Sequence, residues 1–101
     1  MYINKTLSLY RLTPGSTDDS GVYHPGTAEF VRNVPMDFQP YSRELLKKDY
    51  GFDVDVTQRL FIRDASDVDL GMQFREGSTV YEVRKTVPWD NYSEVMVYEL
   101  P

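Results

Sequence analysis

A chain of 101 residues without a single cysteine holds no disulfide and no thiolate metal site, so its stability has to come from one packed core or from neighbouring chains. Lys and Arg number 11 against 16 Asp and Glu, and the resulting net charge of -5 disfavours a protein that coats duplex nucleic acid, because phosphate affinity rests mostly on basic side chains. No apolar block has the length of a signal peptide or a membrane span, so folding in the cytoplasm is expected.

Residues 3–12 predict the first strand, with Leu7 and Leu9 on one face and Thr6, Ser8 and Tyr10 on the other. Residues 13–26, TPGSTDDSGVYHPG, are dense in Pro, Gly, Ser and Asp and read as a loop. That is long for a connection in a small domain, and Val22 and Tyr23 are its sizeable apolar groups, so the loop is expected to be mobile until something binds it. Residues 28–38 return to an extended pattern with Phe30, Val34, Met36 and Phe38 on one parity and Val31 on the other. Pro35, which cannot donate to a ladder, puts this run at an edge, a bulge or a bend.

The stretch 41–64 combines a helix and a strand. Ser42 predicts an N-cap for a helix over 43–49, with Glu44 near its positive end and Lys47 and Lys48 near its negative one. Tyr41, Leu45, Leu46 and Tyr50 give it an apolar side, and Gly51 ends it in the left-handed conformation. Phe52, Val54, Val56, Leu60 and Ile62 then alternate with polar residues, which predicts one strand over 52–63 with a single buried face. Leu70, Met72 and Phe74 predict a short strand after the polar turn 64–67. Tyr81, Val83 and Val87 predict one face of another strand over 79–87, and 93–100 runs back. In that last run Val95 and Val97 compete with Met96, Tyr98 and Leu100 for the inner face, so its register stays open and both faces are expected to be covered. Six alternating runs against a single helical one predict a mainly β domain, 1–101, built as a small barrel or sandwich of about six strands with one short helix.

Few residues suggest chemistry. His24 is the sole histidine and lies near Asp18, Asp19 and Ser20, but a hydrolytic triad needs members on a rigid scaffold and these share one loop. Asp64, Asp67, Asp69 and Glu76 could offer oxygens to a cation, yet lack the ligand spacing and central glycine of a calcium loop. Asp53 and Asp55 read as the solvated face of a strand. No phosphate-binding glycine motif and no nucleophile elbow is present. Trp89, the one tryptophan, sits beside Tyr92 in the turn PWDNY, either to cover one end of the fold or to serve as an exposed anchor for a partner. The composition, with 14% aromatics and eight Tyr, suits subunit interfaces. Neither a cofactor nor a metal is expected, and the chain does not read as an enzyme.

The sequence from the SxELLxxDYG helix through Gln58-Arg59-Leu60-Phe61 and Gly71 to GSTVYEVRKTVPWDNY resembles the head-closure or head-tail connector proteins of long-tailed bacteriophages and prophages. The likeness covers most of the chain after residue 28. It implies a small β-barrel with a short helix, arranged as a ring in the neck of the virion. Such a ring sits below the portal and adaptor, retains packaged DNA without reading its sequence, and receives the tail or tail terminator. An acidic chain suits a passage through which DNA must slide. It also implies that a long loop serves as a gate or docking element, a role for which residues 13–26, with Asp18, Asp19, Val22, Tyr23 and His24, are the candidates, with Trp89 and Tyr92 as an interface. From a different class, a stand-alone binding module or inhibitor would be a stable monomer acting through one hydrophobic patch.

Overall fold

The computed structural model describes residues 2–101. Among them the strands are β1 (Lys5–Leu12), β2 (Ser16–Thr17), β3 (Tyr23–His24), β4 (Ala28–Pro40), β5 (Gln58–Ile62), β6 (Gln73–Glu76), β7 (Thr79–Pro88) and β8 (Ser93–Glu99), with one helix, α1 (Arg43–Tyr50). Six strands, in the order β1-β4-β5-β8-β7-β6, close into an antiparallel barrel, while β2 and β3 pair apart from it. The fold is thus mainly β, a closed barrel with a single short helix among the described residues. Closure removes the exposed edges that a six-stranded open sheet would present.

Alternation fills the interior. Leu7 and Leu9 of β1, Val34 and Met36 of β4, Leu60 and Ile62 of β5, Phe74 of β6, Tyr81 and Val83 of β7 and Val95 and Val97 of β8 form the main core. A second cluster lies outside the barrel wall, where Leu46 of α1 packs with Tyr41, Val56 and Met96. The register left open for β8 is resolved by these two clusters, since Val95 and Val97 point into the barrel and Met96 points under the helix.

Two bulges shift faces that simple parity placed together. In β4 the pairing steps from Leu9↔Arg32 to Tyr10↔Phe30, so Val31 packs against the core and Phe30 turns out to 51% exposure, edge-on to Tyr10. In β7 it steps from Val83↔Val97 to Lys85↔Met96, which carries Val87 to the helix side, away from Tyr81 and Val83. Pro35 sits within β4 opposite Thr6. Asn4 N–H donates to Met36 C=O at 3.0 Å, so the alternate residue Pro35 faces the β5 side, where pairing begins with Asp37↔Phe61; its missing donor is not called upon.

The expected strand over 52–63 is shorter, Gln58–Ile62. Phe52 and Val54 alternate with polar residues because they lean on the helix cluster, a burial that needs no ladder partner. Likewise Leu70 is 65% exposed, because 70–71 form a turn and β6 begins at Gln73. The helix matches its signals: Ser42 Oγ accepts from Leu45 N–H, and Gly51 at φ 77 donates its N–H to Lys47 C=O. Leu45 departs from the predicted apolar side and is exposed, since a helix lying on a barrel wall buries one narrow stripe. Leu46→Ala is therefore expected to cost about 2 to 4 kcal/mol in chemical denaturation. Asp55→Ala, at an exposed carboxylate 3.5 Å from Arg43, should change stability by less than about 0.5 kcal/mol.

Candidate functional site

Within residues 13–26, read from the sequence as a loop, the structure places two short paired strands, β2 and β3. They form a hairpin arm, shaped by turn chemistry in place of apolar burial. Asp18 Oδ1 accepts from the N–H groups of Ser20 and Val22, each at 2.9 Å, and its Oδ2 lies 2.9 Å from His24 Nε2. These bonds hold the carboxyl of Asp18 below its usual range, the His24 contact contributing most and the Val22 N–H next. At the base, Thr13 N–H donates to Thr27 C=O at 2.8 Å while the two hydroxyls meet at 2.8 Å. Tyr23 lies across Gly15, where any Cβ would overlap its ring and hydroxyl, so glycine permits the two arm strands to pair at Ser16↔His24 and Thr17↔Tyr23.

The arm leaves the body of the protein. Its strands touch neither the barrel strands nor the helix, and every residue from 11 to 30 is exposed. The molecule accordingly extends 50 × 28 × 27 Å with a radius of gyration of 15.0 Å, against about 13 Å for a compact chain of this length. Of the candidate residues, the structure brings Asp18 and His24 into contact and sets Asp19 at the turn; Val22 and Tyr23 are 54% and 64% exposed. Among the described residues no hydrogen bond joins the Ser20 hydroxyl to His24, so Asp18 and His24 form a pair that shapes the turn.

Trp89 and Tyr92 come together at the β7–β8 turn, where Trp89 N–H donates to Tyr92 C=O at 2.8 Å and the rings are 6.4 Å apart. Tyr92 meets Phe61 edge-on at 5.6 Å, so three aromatic side chains run in a row along the outer wall. Trp89 stays 49% exposed and lines a cleft of about 310 Å³ with Arg63, Asp64 and Tyr92. The acidic turn is committed elsewhere: Arg32 binds both carboxylate oxygens of Asp67 at 2.8 and 2.9 Å and the Asp64 carbonyl at 2.7 Å. That hydrogen bonding to Arg32 keeps the Asp67 carboxyl below its usual range, and Glu76 pairs with Lys5. Among the described residues no group of three His, Cys, Asp or Glu side chains is placed to hold a metal ion. Asp53 and Asp55 are both reached by Arg43.

One cluster was missed by sequence reading. Glu94 is buried on the outer face of β8, where Tyr50 donates its hydroxyl to Oε1 at 2.6 Å and Arg59 Nη1 stands 3.8 Å from Oε2. Arg59 is held by Gln39 Oε1 at 3.0 Å and lies over the rings of Tyr41 and Phe61. Tyr41 in turn donates to Asp49 at 2.7 Å, so the C-terminal end of α1 is tied down by two tyrosine hydroxyls. A signal existed: Glu94 heads a run in which both parities are apolar, and a charge in a doubly covered strand needs a buried partner.

Burial, together with the Glu94 carboxylate, pushes the Tyr50 hydroxyl up to about 12. Because the fold raises this value above the unfolded one, Tyr50 contributes stability that is fully present below about pH 10 and is lost as pH rises towards 12. Tyr50→Phe is expected to lower stability by about 1 to 3 kcal/mol at neutral pH, since Glu94 Oε1 loses a buried donor. It should also flatten the alkaline fall in denaturation midpoint between about pH 10 and 12 relative to the unaltered protein.

The fold defines a class: closed six-stranded antiparallel barrels that carry one helix on the wall and a projecting hairpin. No family model and no curated protein matches the chain. Among solved structures it is similar to the solution structure of protein SF1141 from Shigella flexneri 2a, with a TM-score of 0.71 and 16% identity over 96% of this chain and 92% of that one. At that identity the likeness shows the fold alone. Among the described residues no helix is long and apolar enough to cross a membrane.

Proposed function

We propose that the protein is a non-catalytic structural subunit of a bacteriophage neck, a head-closure or head-tail connector component. In this reading it is made in the bacterial cytoplasm and built into the virion, where a ring of copies retains packaged DNA and docks the tail. The sequence resemblance suggests the family, and one observation of the structure carries the role: an arm whose two strands leave a closed barrel and contact none of its strands. An arm of this kind contributes nothing to its own core and is suited to reaching another chain. The barrel offers no open edge for strand addition, whereas both arm strands are edges with unpaired backbone groups on their outer sides. Neighbouring arms or an adjacent ring would find their hydrogen-bonding partners there. The net charge of -5 lets DNA pass without adhering.

A second reading, a small binding module acting through a hydrophobic patch, is favoured by the Phe61, Tyr92 and Trp89 row. Electron microscopy of the protein mixed with portal and adaptor rings from the same phage or prophage separates the two. A neck subunit adds a layer of density beneath the adaptor. A protein that leaves those rings bare and stays monomeric at high concentration is not one.

A further inference from the structure

The outer wall beside the aromatic row carries more buried negative charge than it balances. Asp37, Phe61 and Glu94 face one another across β4, β5 and β8, so the two carboxylates flank the Phe61 ring, each about 5 Å away by strand spacing. Asp37 is 8% exposed and Glu94 3%. Asp37 Oδ2 receives two neutral, long hydrogen bonds, from Tyr2 N–H at 3.3 Å and Gln39 Nε2 at 3.2 Å, and no described basic side chain lies within ion-pair distance of it. The single guanidinium here, Arg59, stands 3.8 Å from Glu94, whose Oε2 is buried without a hydrogen-bond partner among the described residues. Among the described residues one guanidinium thus faces two buried carboxylates. Buried charge is costly unless it is paired.

A pocket of about 250 Å³ opens on this row, lined by Asp37, Gln39, Phe61 and Tyr92. That is below the range of cofactor and drug-sized sites and suits a single long side chain. Its chemistry is specific: a carboxylate to accept hydrogen bonds, Gln39 Oε1 being already engaged by Arg59, and two aromatic rings set edge to face at 5.6 Å. A planar guanidinium satisfies both, since it donates to a carboxylate while stacking on a ring, and it sheds water more readily than an ammonium. Arg59 already does this on Phe61 from within the chain.

We propose that the pocket formed by Asp37, Gln39, Phe61 and Tyr92 receives an arginine side chain from a segment of a partner protein, adding a second cation to a wall where the described residues set one guanidinium, Arg59, against the two buried carboxylates Asp37 and Glu94. The site is separate from the arm and does not depend on the neck reading. It lies beside Trp89, which gives the partner segment an aromatic surface to cover as it enters.

The test is a nuclear magnetic resonance titration of the full chain with acetyl-Gly-Arg-Gly-amide and with the same peptide carrying citrulline, which keeps the shape and removes the charge. The arginine peptide should give saturable shifts at Phe61, Tyr92 and the Trp89 indole, weakened by added salt, while the citrulline peptide binds at least about tenfold more weakly. Asp37→Asn, whose amide oxygen can still accept from Tyr2 N–H and Gln39 Nε2 in a side chain of the same shape, should lose the arginine preference. Equal response to both peptides, insensitivity to salt in the unaltered protein, or no shift at these residues would overturn the assignment. The salt and citrulline arms use the native sequence, so they decide the matter even if Asp37→Asn fails to fold.

Discussion

Phe74→Ala is expected to destabilise the protein by about 3 to 5 kcal/mol, the largest effect of any single truncation in the chain. Phe74 is the bulkiest of the fully buried side chains, at 0% exposure, and belongs to β6, the shortest strand of the barrel wall. In register it faces Leu9 on one side and Tyr81 on the other, so its ring fills the barrel where β1, β6 and β7 meet. Removing it opens a cavity that three strands border and none can collapse into without breaking the closed ladder. A small domain has only about 5 to 15 kcal/mol in total, so the variant should be near its unfolding threshold. Phe74→Leu, which conserves most of the volume, should cost roughly 1.5 kcal/mol or less. Urea denaturation of both, set against Leu46→Ala, checks the ranking; a smaller loss for Phe74→Ala than for Leu46→Ala would place the main core under the helix and not in the barrel.

Deleting residues 17–23 is expected to have the opposite profile, with a nearly unchanged melting temperature and a loss of function. Ser16 and His24 face each other across the arm, so the cut ends are about 5 Å apart and can be joined directly. The arm strands contact neither the barrel strands nor α1, and removal of residues 17–23 takes away no core side chain. If the arm serves the neck, particles carrying the deletion should leak DNA or fail to join tails. Full infectivity would remove the arm from the mechanism, and a large fall in melting temperature would show that it supports the barrel.

The barrel was largely legible in the sequence because alternation is a local property: Leu7 with Leu9, Leu60 with Ile62 and Tyr81 with Val83 each announce an inner face within three residues. So was α1, whose cap, apolar stripe and terminal glycine all lie within ten positions. What escaped was set by partners far along the chain. The bulges at Val31 and Arg84 depend on strands β1 and β8 and reverse the parity of Phe30 and Val87. The register of β8 depended on a helix some 45 residues away in sequence, and the pairing of Glu94 with Tyr50 spans 44. The pairing of β2 with β3 within the loop escaped for a different reason. Composition marked the loop as polar, but a carboxylate that caps two backbone N–H groups and meets a histidine shapes a short hairpin turn without a core. In the candidate sites, Asp18 with His24 and Trp89 with Tyr92 could be paired by proximity in sequence, whereas the pocket at Asp37 needed three strands to assemble it.

Mass spectrometry of purified virions from cells that carry the gene, with the chain quantified against the portal protein, tests the neck assignment most directly. A neck subunit is expected in the particles at a copy number comparable to that of the portal ring. Its absence from tailed, DNA-filled and infectious particles, with the protein left in the soluble lysate, would contradict the assignment.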